Sequence, residues 1–137
     1  MAIALLSVGL LGLLISLLGF NVSMKRKSVV LTQHEAEADP KSALCKAMRA
    51  HGNCIEYAPM LALMILALGL RSPLPSIFLS GVMLATVGFR YLHAVGVLVS
   101  ESIYAANWMK FVGALGTYLS GIVMSVWLIY KATLLFT

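Results

Sequence analysis

The sequence predicts an all-α integral membrane protein, a bundle of four transmembrane helices, and three observations support this fold class. Of its 137 residues, 61% are hydrophobic and only 11% are charged, whereas soluble domains are about half apolar and about a quarter charged. Its mean hydropathy of +0.95 indicates a chain whose solvent is mostly lipid. The apolar residues form runs long enough to cross the hydrocarbon core of a bilayer. One membrane domain over residues 1–137 is therefore expected.

The four predicted helices are separated by residues that begin or stop helices. The first run carries no ionisable group, and Pro40 followed by Ser42 is typical of the start of the second helix. Pro73 and Pro75 predict a tight turn after that helix, because a proline cannot continue it. A short polar connection over residues 100–107 precedes the last helix. The predicted helices cover about residues 3–22, 42–70, 76–99 and 108–135.

The basic residues predict the orientation of the chain in the membrane. Lys25, Arg26 and Lys27 open a polar stretch over residues 25–41, which we expect to be an exposed loop. Because cytoplasmic loops carry an excess of lysine and arginine, the first and third loops should face the cytoplasm. The net charge of +5 is concentrated around this loop, so it does not indicate nucleic acid as a partner. The short chain without an endoplasmic-reticulum signal favours a bacterial inner membrane.

The sequence contains no pattern typical of metal binding or of a disulfide. Its three histidines are scattered, so no metal site is predicted. Cys45 and Cys54 lie on the same predicted helix, separated by about 13 Å of helical rise. That separation is too large for a disulfide, and both are expected to be free thiols.

Charged residues inside the predicted helices are the main functional signal. At about 100° per residue, Arg49, Asn53 and Glu56 form one polar stripe along the second helix. A charge inside a membrane helix costs roughly 2.5–3.5 kcal/mol on insertion scales, so the stripe needs a partner or a ligand. Arg90 and His93 of the third helix are expected at a similar depth. Such a cluster suits a zwitterionic ligand with carboxylates, which arginine binds in bidentate fashion. The alternative is a purely structural ion-pair network.

Two neighbours of the stripe are further candidates for contact with a ligand. His51 points about 160° away from Arg49, so it should face another helix or a neighbouring subunit. A structural hydrogen bond is the alternative role for His51. Tyr57 lies on the flank of the stripe, and its hydroxyl is a candidate donor to a ligand or to a neighbouring side chain.

The run from Met48 to Pro59 has the form R-A-x-x-N-x-x-E-Y-x-P and resembles the signature of the MAPEG family, the membrane-associated proteins in eicosanoid and glutathione metabolism. It opens the second of four helices, as in that family. The third-helix pattern of Gly88, Arg90 and His93 is similar to the family pattern as well. The resemblance covers the whole chain in topology, and its specific content is concentrated in the dozen residues of the signature.

The resemblance implies a homotrimer that binds glutathione, as co-substrate, between adjacent subunits near the cytoplasmic face. It implies activation of the glutathione thiol as thiolate, because a cationic pocket lowers a thiol pKa. The thiolate would then attack a lipophilic electrophile or reduce a hydroperoxide. Carried over by position, the glutathione-binding residues would be Arg49, His51, Asn53, Glu56, Tyr57, Arg90 and His93, with Arg26 or Lys27 reaching a glutathione carboxylate.

The sequence departs from the family pattern at two positions that bear on catalysis. The leukotriene and prostaglandin branches carry a tyrosine one turn beyond the position of His93, where this chain has Val97. They also carry an arginine near the start of the fourth helix, and this chain has none there. Tyr104 and Lys110 are the candidate catalytic substitutes.

Three functional hypotheses therefore follow. The first is a glutathione-dependent membrane enzyme of the microsomal transferase type. The second is a non-catalytic protein that binds glutathione or a lipid and presents it to a partner. A small four-helix multidrug exporter is disfavoured, because such exporters depend on a carboxylate in the first helix, where this chain has no ionisable group.

Overall fold

The computed structural model describes residues 1–28, 32–71 and 76–135. Residues 72–75 of the predicted turn, which was expected over residues 71–75, lie outside the described residues, as do residues 29–31 of the first loop. Within the described part of the chain the structure is all-helical. Its elements in chain order are α1 (Ala2–Lys27), α2 (Gln33–Ala38), α3 (Ala43–Arg71), α4 (Ile77–Val99) and α5 (Trp108–Thr133).

Four of these helices are long and apolar enough to cross a membrane, which confirms the predicted class of an all-α membrane protein. The observed α1 ends at Lys27, five residues beyond the predicted end at residue 22. Its last turn contains Lys25, Arg26 and Lys27. Cationic side chains there interact favourably with the negative end of the helix dipole, so the basic cluster extends the helix instead of beginning the loop.

The short helix α2 was not predicted, because residues 25–41 were interpreted as an exposed loop. Ala36 of α2 is 7% exposed and packs in a small apolar cluster with Val22, Leu44 and Ala47. The Ser42 hydroxyl donates a hydrogen bond to the carbonyl oxygen of Ala36. These contacts fix α2 against the start of α3.

Side-chain caps fix where α3 and α5 begin. The Ser42 hydroxyl accepts a hydrogen bond from the backbone N–H of Cys45 at 2.9 Å, so Ser42 caps α3 where the sequence predicts the second membrane helix to begin. The Asn107 side chain accepts in the same way from Met109 at 2.8 Å and begins α5. Each cap satisfies an N–H group that has no partner within its own helix.

Close packing joins the helices into a bundle in which α1 lies along α3 and α4 lies along α5. An ideal Cβ atom at Gly113 would lie 2.6 Å from the backbone nitrogen of His93, and one at Gly96 would lie 2.7 Å from that of Lys110. Small residues at such points let helix backbones approach closely in a membrane. The interior includes fully buried Leu11, Ile65, Met83 and Met124, while many large apolar side chains face outward. Both cysteines are free thiols, as predicted.

Candidate ligand site on the face of α3

The polar stripe of α3 lines a surface depression of about 290 Å³. Arg49, Asn53 and Glu56 all contribute to its wall, as their helical spacing predicted. The remaining lining residues come from three elements: Glu37 from α2, Cys45, Met48 and Gly52 from α3, and Ile103 from the connection between α4 and α5. The backbone N–H of Ile103 donates to the carbonyl oxygen of Pro40 at 3.0 Å, so this connection is tied to the segment before α3.

The two charged residues of the stripe lack partners within the described part of the chain. Arg49 and Glu56 are exposed. Among the described residues, the one ion pair joins Arg26 to Glu37, and neither Arg49 nor Glu56 makes a side-chain hydrogen bond. An intramolecular ion-pair network, the structural alternative, is therefore absent from the described residues. The charges of α3 remain available to a ligand or to another chain.

Arg90 contacts Asn53, a residue of the stripe, from the interior of the bundle. It is 1% exposed, and its Nη2 atom donates to the Asn53 side-chain Oδ1 at 2.9 Å and to the Asn53 carbonyl oxygen at 3.1 Å. Its guanidinium carbon lies 5.4 Å from the centroid of the Tyr57 ring, within the range of a cation–π contact. The Nε atom is buried and has no partner among the described residues. Arg90 thus fixes the orientation of Asn53 and contacts α3 at the level of the polar stripe.

Two histidines predicted for the site contact other helices of the same chain. The His51 ring lies against α1, where its Nε2 atom would be 3.3 Å from an ideal Cβ at Gly19. His93 is half-buried, and its Nδ1 atom lies 3.0 Å from the backbone carbonyl oxygen of Lys110. Neither histidine lines the depression within this chain. Both contacts join neighbouring helices of the same chain.

Arg26 and Lys27 end α1 beside α2. The Nε atom of Arg26 lies 3.9 Å from Oε1 of Glu37, with 49% and 28% of the two side chains exposed, and Lys27 is exposed. Arg26 therefore reaches a wall of the depression through Glu37. Glu37 itself was missed by the sequence analysis, because its position depends on a helix that was not predicted.

The two catalytic candidates, Tyr104 and Lys110, line a different surface depression, which borders the start of α5. Tyr104 is 83% exposed. The Lys110 ammonium donates to the carbonyl oxygens of Ile103, at 3.2 Å, and of Ala105. Within one chain, Lys110 therefore stabilises the connection between α4 and α5, and neither residue reaches the α3 stripe.

An apolar groove of about 430 Å³ runs between α3 and α5 next to the polar depression. Tyr57 and Tyr118 mark one end, with their hydroxyl oxygens 3.4 Å apart and ring centroids separated by 5.7 Å. Below them the groove is mainly aliphatic, lined by Met60, Leu61, Met64, Ile122 and Val126. Tyr118 was also missed, because its pairing with Tyr57 joins residues 61 positions apart in sequence. Arg90 lines neither cavity, but it contacts Asn53, which lines the depression, and the ring of Tyr57, which lines the groove.

The fold and site together define a small membrane protein with a charged surface depression and an apolar groove. In a comparison with known families, the sequence model of the MAPEG family matches residues 3–130, nearly the whole chain. The chain belongs to the MAPEG family, a family of membrane proteins of glutathione and eicosanoid metabolism. No curated protein and no solved structure matches the chain significantly.

Proposed function

We propose that this protein is a glutathione-dependent membrane enzyme of the transferase or peroxidase type. The observation that carries the proposal is the pair of exposed charges, Arg49 and Glu56, in one depression of a membrane-spanning helix without partners among the described residues. Such residues within spans are rare and mark functional sites. Membership in the MAPEG family supports glutathione as the ligand.

The chemistry of the depression suits the zwitterionic tripeptide. Arg49 offers a planar guanidinium that binds a carboxylate in bidentate fashion, and Glu56 accepts a hydrogen bond from an ammonium. Asn53, whose side-chain oxygen is held by Arg90, presents its NH₂ group to an amide carbonyl. Tyr57 is the candidate hydroxyl donor. Arg26 or Lys27 is the candidate for a second carboxylate, at the end of the depression near α2.

The apolar groove beside the depression supports a lipophilic co-substrate. In the proposed transfer, the glutathione sulfur forms a bond to an electrophilic carbon while the leaving group departs with its electron pair. In the peroxidase version, two glutathione molecules become a disulfide while a hydroperoxide becomes an alcohol and water. The cationic residues of the site favour thiolate over thiol. Arg90, between the Asn53 wall and the Tyr57 ring, lies where the two compartments meet.

We further propose that the active unit is a homotrimer in a bacterial inner membrane, with the first and third loops cytoplasmic. Exposed charges on α3 are costly against lipid, which favours a second copy of the chain over this face. In such an assembly His51, His93 or Tyr104 would complete the site of a neighbouring subunit. Native mass spectrometry in detergent measures the subunit number, and a stable monomer would contradict this arrangement.

The function is tested with the purified protein in detergent. Calorimetry measures glutathione binding, and conjugation of a chloronitrobenzene-type electrophile measures turnover. An Arg49→Leu variant should lose binding, whereas Lys41→Leu, which removes an exposed cation that does not line the depression, should retain it. Absence of glutathione binding by the unmodified protein would defeat the proposal.

A non-catalytic presenter of glutathione or lipid is the second candidate, and one observation favours it. The Lys110 ammonium is engaged by two carbonyl oxygens, and Tyr104 projects outward beside another depression. Neither catalytic candidate therefore lines the α3 depression within one chain. Glutathione binding without conjugation or peroxidase turnover would support the presenter.

A further inference from the structure

A separate cavity of about 460 Å³ lies where α3 and α5 finish, away from the polar depression at the start of α3. In the described part of the chain, Lys131 is the charged residue that lines it, and the other lining residues are apolar. We propose that this cavity binds an anionic phospholipid, with an acyl chain in its apolar part and the headgroup phosphate at the Lys131 ammonium. The proposal does not depend on glutathione binding, because the two cavities share no residue.

The cavity lies at the level where lipid headgroups meet the acyl chains. Lys131 is in the last turn of α5, and Leu68 is in the last turn of α3. Both helices are long enough to cross a membrane, so their ends reach its interface with water. Trp127 lines the cavity, and its ring meets that of Tyr130 edge to face, with the centroids 6.5 Å apart. Tryptophan and tyrosine are enriched at this level of the bilayer.

The apolar wall of the cavity is held in place by the core. Leu68 is 4% exposed, and Trp127 and Leu128 pack against the main cluster of buried side chains. Ala67, which also lines the cavity, is exposed and has no side chain beyond Cβ. The volume is within the range of about 300–1,000 Å³ that is typical of small-molecule sites. Since a membrane supplies acyl chains at this level, a lipid chain is the apolar occupant that fits the wall.

The charge at this end of the bundle favours an anionic headgroup. The Lys131 ammonium has no hydrogen-bond or ion-pair partner in the described part of the chain. An anionic headgroup there would meet an unpaired cation and no acidic side chain, whereas a zwitterionic headgroup brings a cation of its own. The five acidic side chains of the sequence lie at the other end of the bundle or in the middle of α3: Glu35, Glu37, Asp39, Glu56 and Glu101.

The test measures lipid contact by the fluorescence of Trp127, which Trp108→Phe makes the only tryptophan. The protein is reconstituted in phosphatidylcholine vesicles that contain either phosphatidylcholine or phosphatidylglycerol brominated near the ester end of its acyl chains, because bromine quenches indole fluorescence on contact. We expect the anionic lipid to bind about fivefold more tightly, the ratio expected for one basic residue near an anionic headgroup. Lys131→Met should abolish this preference, and Lys131→Arg should retain it.

Two controls distinguish a site from a general effect of surface charge. Trp108, made the only tryptophan by Trp127→Phe, is the first residue of α5 and lies at the other end of that helix. The lipid preference that it reports should not change on Lys131→Met. Ala67→Phe fills the cavity and should weaken quenching of Trp127 by both lipids. Ala85→Phe, at an exposed alanine of α4 that does not line the cavity, should leave that quenching unchanged.

Each of four results would overturn the inference. Equal quenching of Trp127 by the two lipids, or a preference that survives Lys131→Met, would remove Lys131 from headgroup recognition. Unchanged quenching in Ala67→Phe would place the acyl chain outside the cavity. Absence of quenching by either lipid would mean that a second copy of the chain covers the cavity. Loss of the preference when inorganic phosphate replaces chloride at equal ionic strength would make a free anion the ligand.

Discussion

Removing either partner of the buried contact between Arg90 and Asn53 should have unequal effects on stability. Asn53→Leu deletes the oxygen that accepts from Arg90 at 2.9 Å and leaves the guanidinium buried, at 1% exposure, with the Asn53 carbonyl oxygen and the Cys54 thiol as its remaining polar partners. Hydrogen bonds to charged groups contribute about 1.5–3 kcal/mol each. The Nε atom already lacks a partner among the described residues, and a thiol sulfur is only a weak acceptor, so the lost hydrogen bond is poorly compensated. We expect Asn53→Leu to lower the free energy of unfolding by about 2–3 kcal/mol.

Arg90→Met should be milder, although it removes both hydrogen bonds. No described carboxylate pairs with Arg90, so its removal leaves no opposing charge buried alone, and the unfavourable desolvation of the guanidinium disappears with it. The Asn53 carbonyl oxygen stays within the hydrogen-bonding pattern of α3. The remaining loss is the contact with the Tyr57 ring, about 0.5–2 kcal/mol for cation–π pairs. We expect a net loss of about 1 kcal/mol.

The assay is reversible unfolding in mixed detergent micelles, followed by tryptophan fluorescence, for both single variants and the double variant. The double variant should be about as stable as Arg90→Met alone, which gives a coupling free energy of about 2 kcal/mol. Asn21→Leu is the matched control, because Asn21 in α1 makes no side-chain hydrogen bond to a described residue. A larger loss for Arg90→Met than for Asn53→Leu would refute the reasoning.

Two further predictions concern the packing and chemistry of α5. Gly113→Ala should destabilise the protein by about 1–3 kcal/mol in the same unfolding assay, because the new Cβ would lie 2.6–2.8 Å from the backbone and Cβ of His93. Gly121→Ala, whose Cβ would meet only Leu61 at 3.6 Å, should be neutral or stabilising, and equal losses would contradict this packing. Lys110→Met should leave the ultraviolet thiolate absorbance of bound glutathione unchanged, since the Lys110 ammonium is already bound by two carbonyl oxygens. A reduced thiolate signal would instead show that Lys110 acts on the sulfur.

The features that the sequence predicted are those that depend only on the local pattern of residues along the chain. The membrane helices follow from long apolar runs, and the common face of Arg49, Asn53 and Glu56 follows from helical geometry. The meeting of Arg90 with Asn53 could be inferred as well, because antiparallel helices of known length bring those residues to the same depth. Each of these inferences needs only the rise and rotation of an ideal helix.

The features that were missed depend on tertiary contacts. A helix as short as α2, with 6 residues, is not stable by itself. It forms because Ala36 packs against apolar side chains of α1 and α3. Glu37 therefore enters the site without any local signal in the sequence. The role of Lys110 could not be predicted from the sequence either. It depends on the path of the connection between α4 and α5, whose backbone carbonyl oxygens lie within reach of the Lys110 ammonium.

The exposed charges of α3 need a stabilising partner, because they lie on a helix that crosses the membrane. A buried arginine such as Arg90 is tolerated because Asn53 satisfies part of it inside the bundle. Arg49 and Glu56 have no such hydrogen-bonding or ion-pair partner among the described residues, and their helix crosses the membrane. Their stabilisation must then come from outside the bundle fold, through water at the interface, a ligand, or a second copy of the chain. Water alone would make both positions tolerant of any polar residue. Strict dependence of ligand affinity on the charge of each residue would instead identify the depression as a binding site.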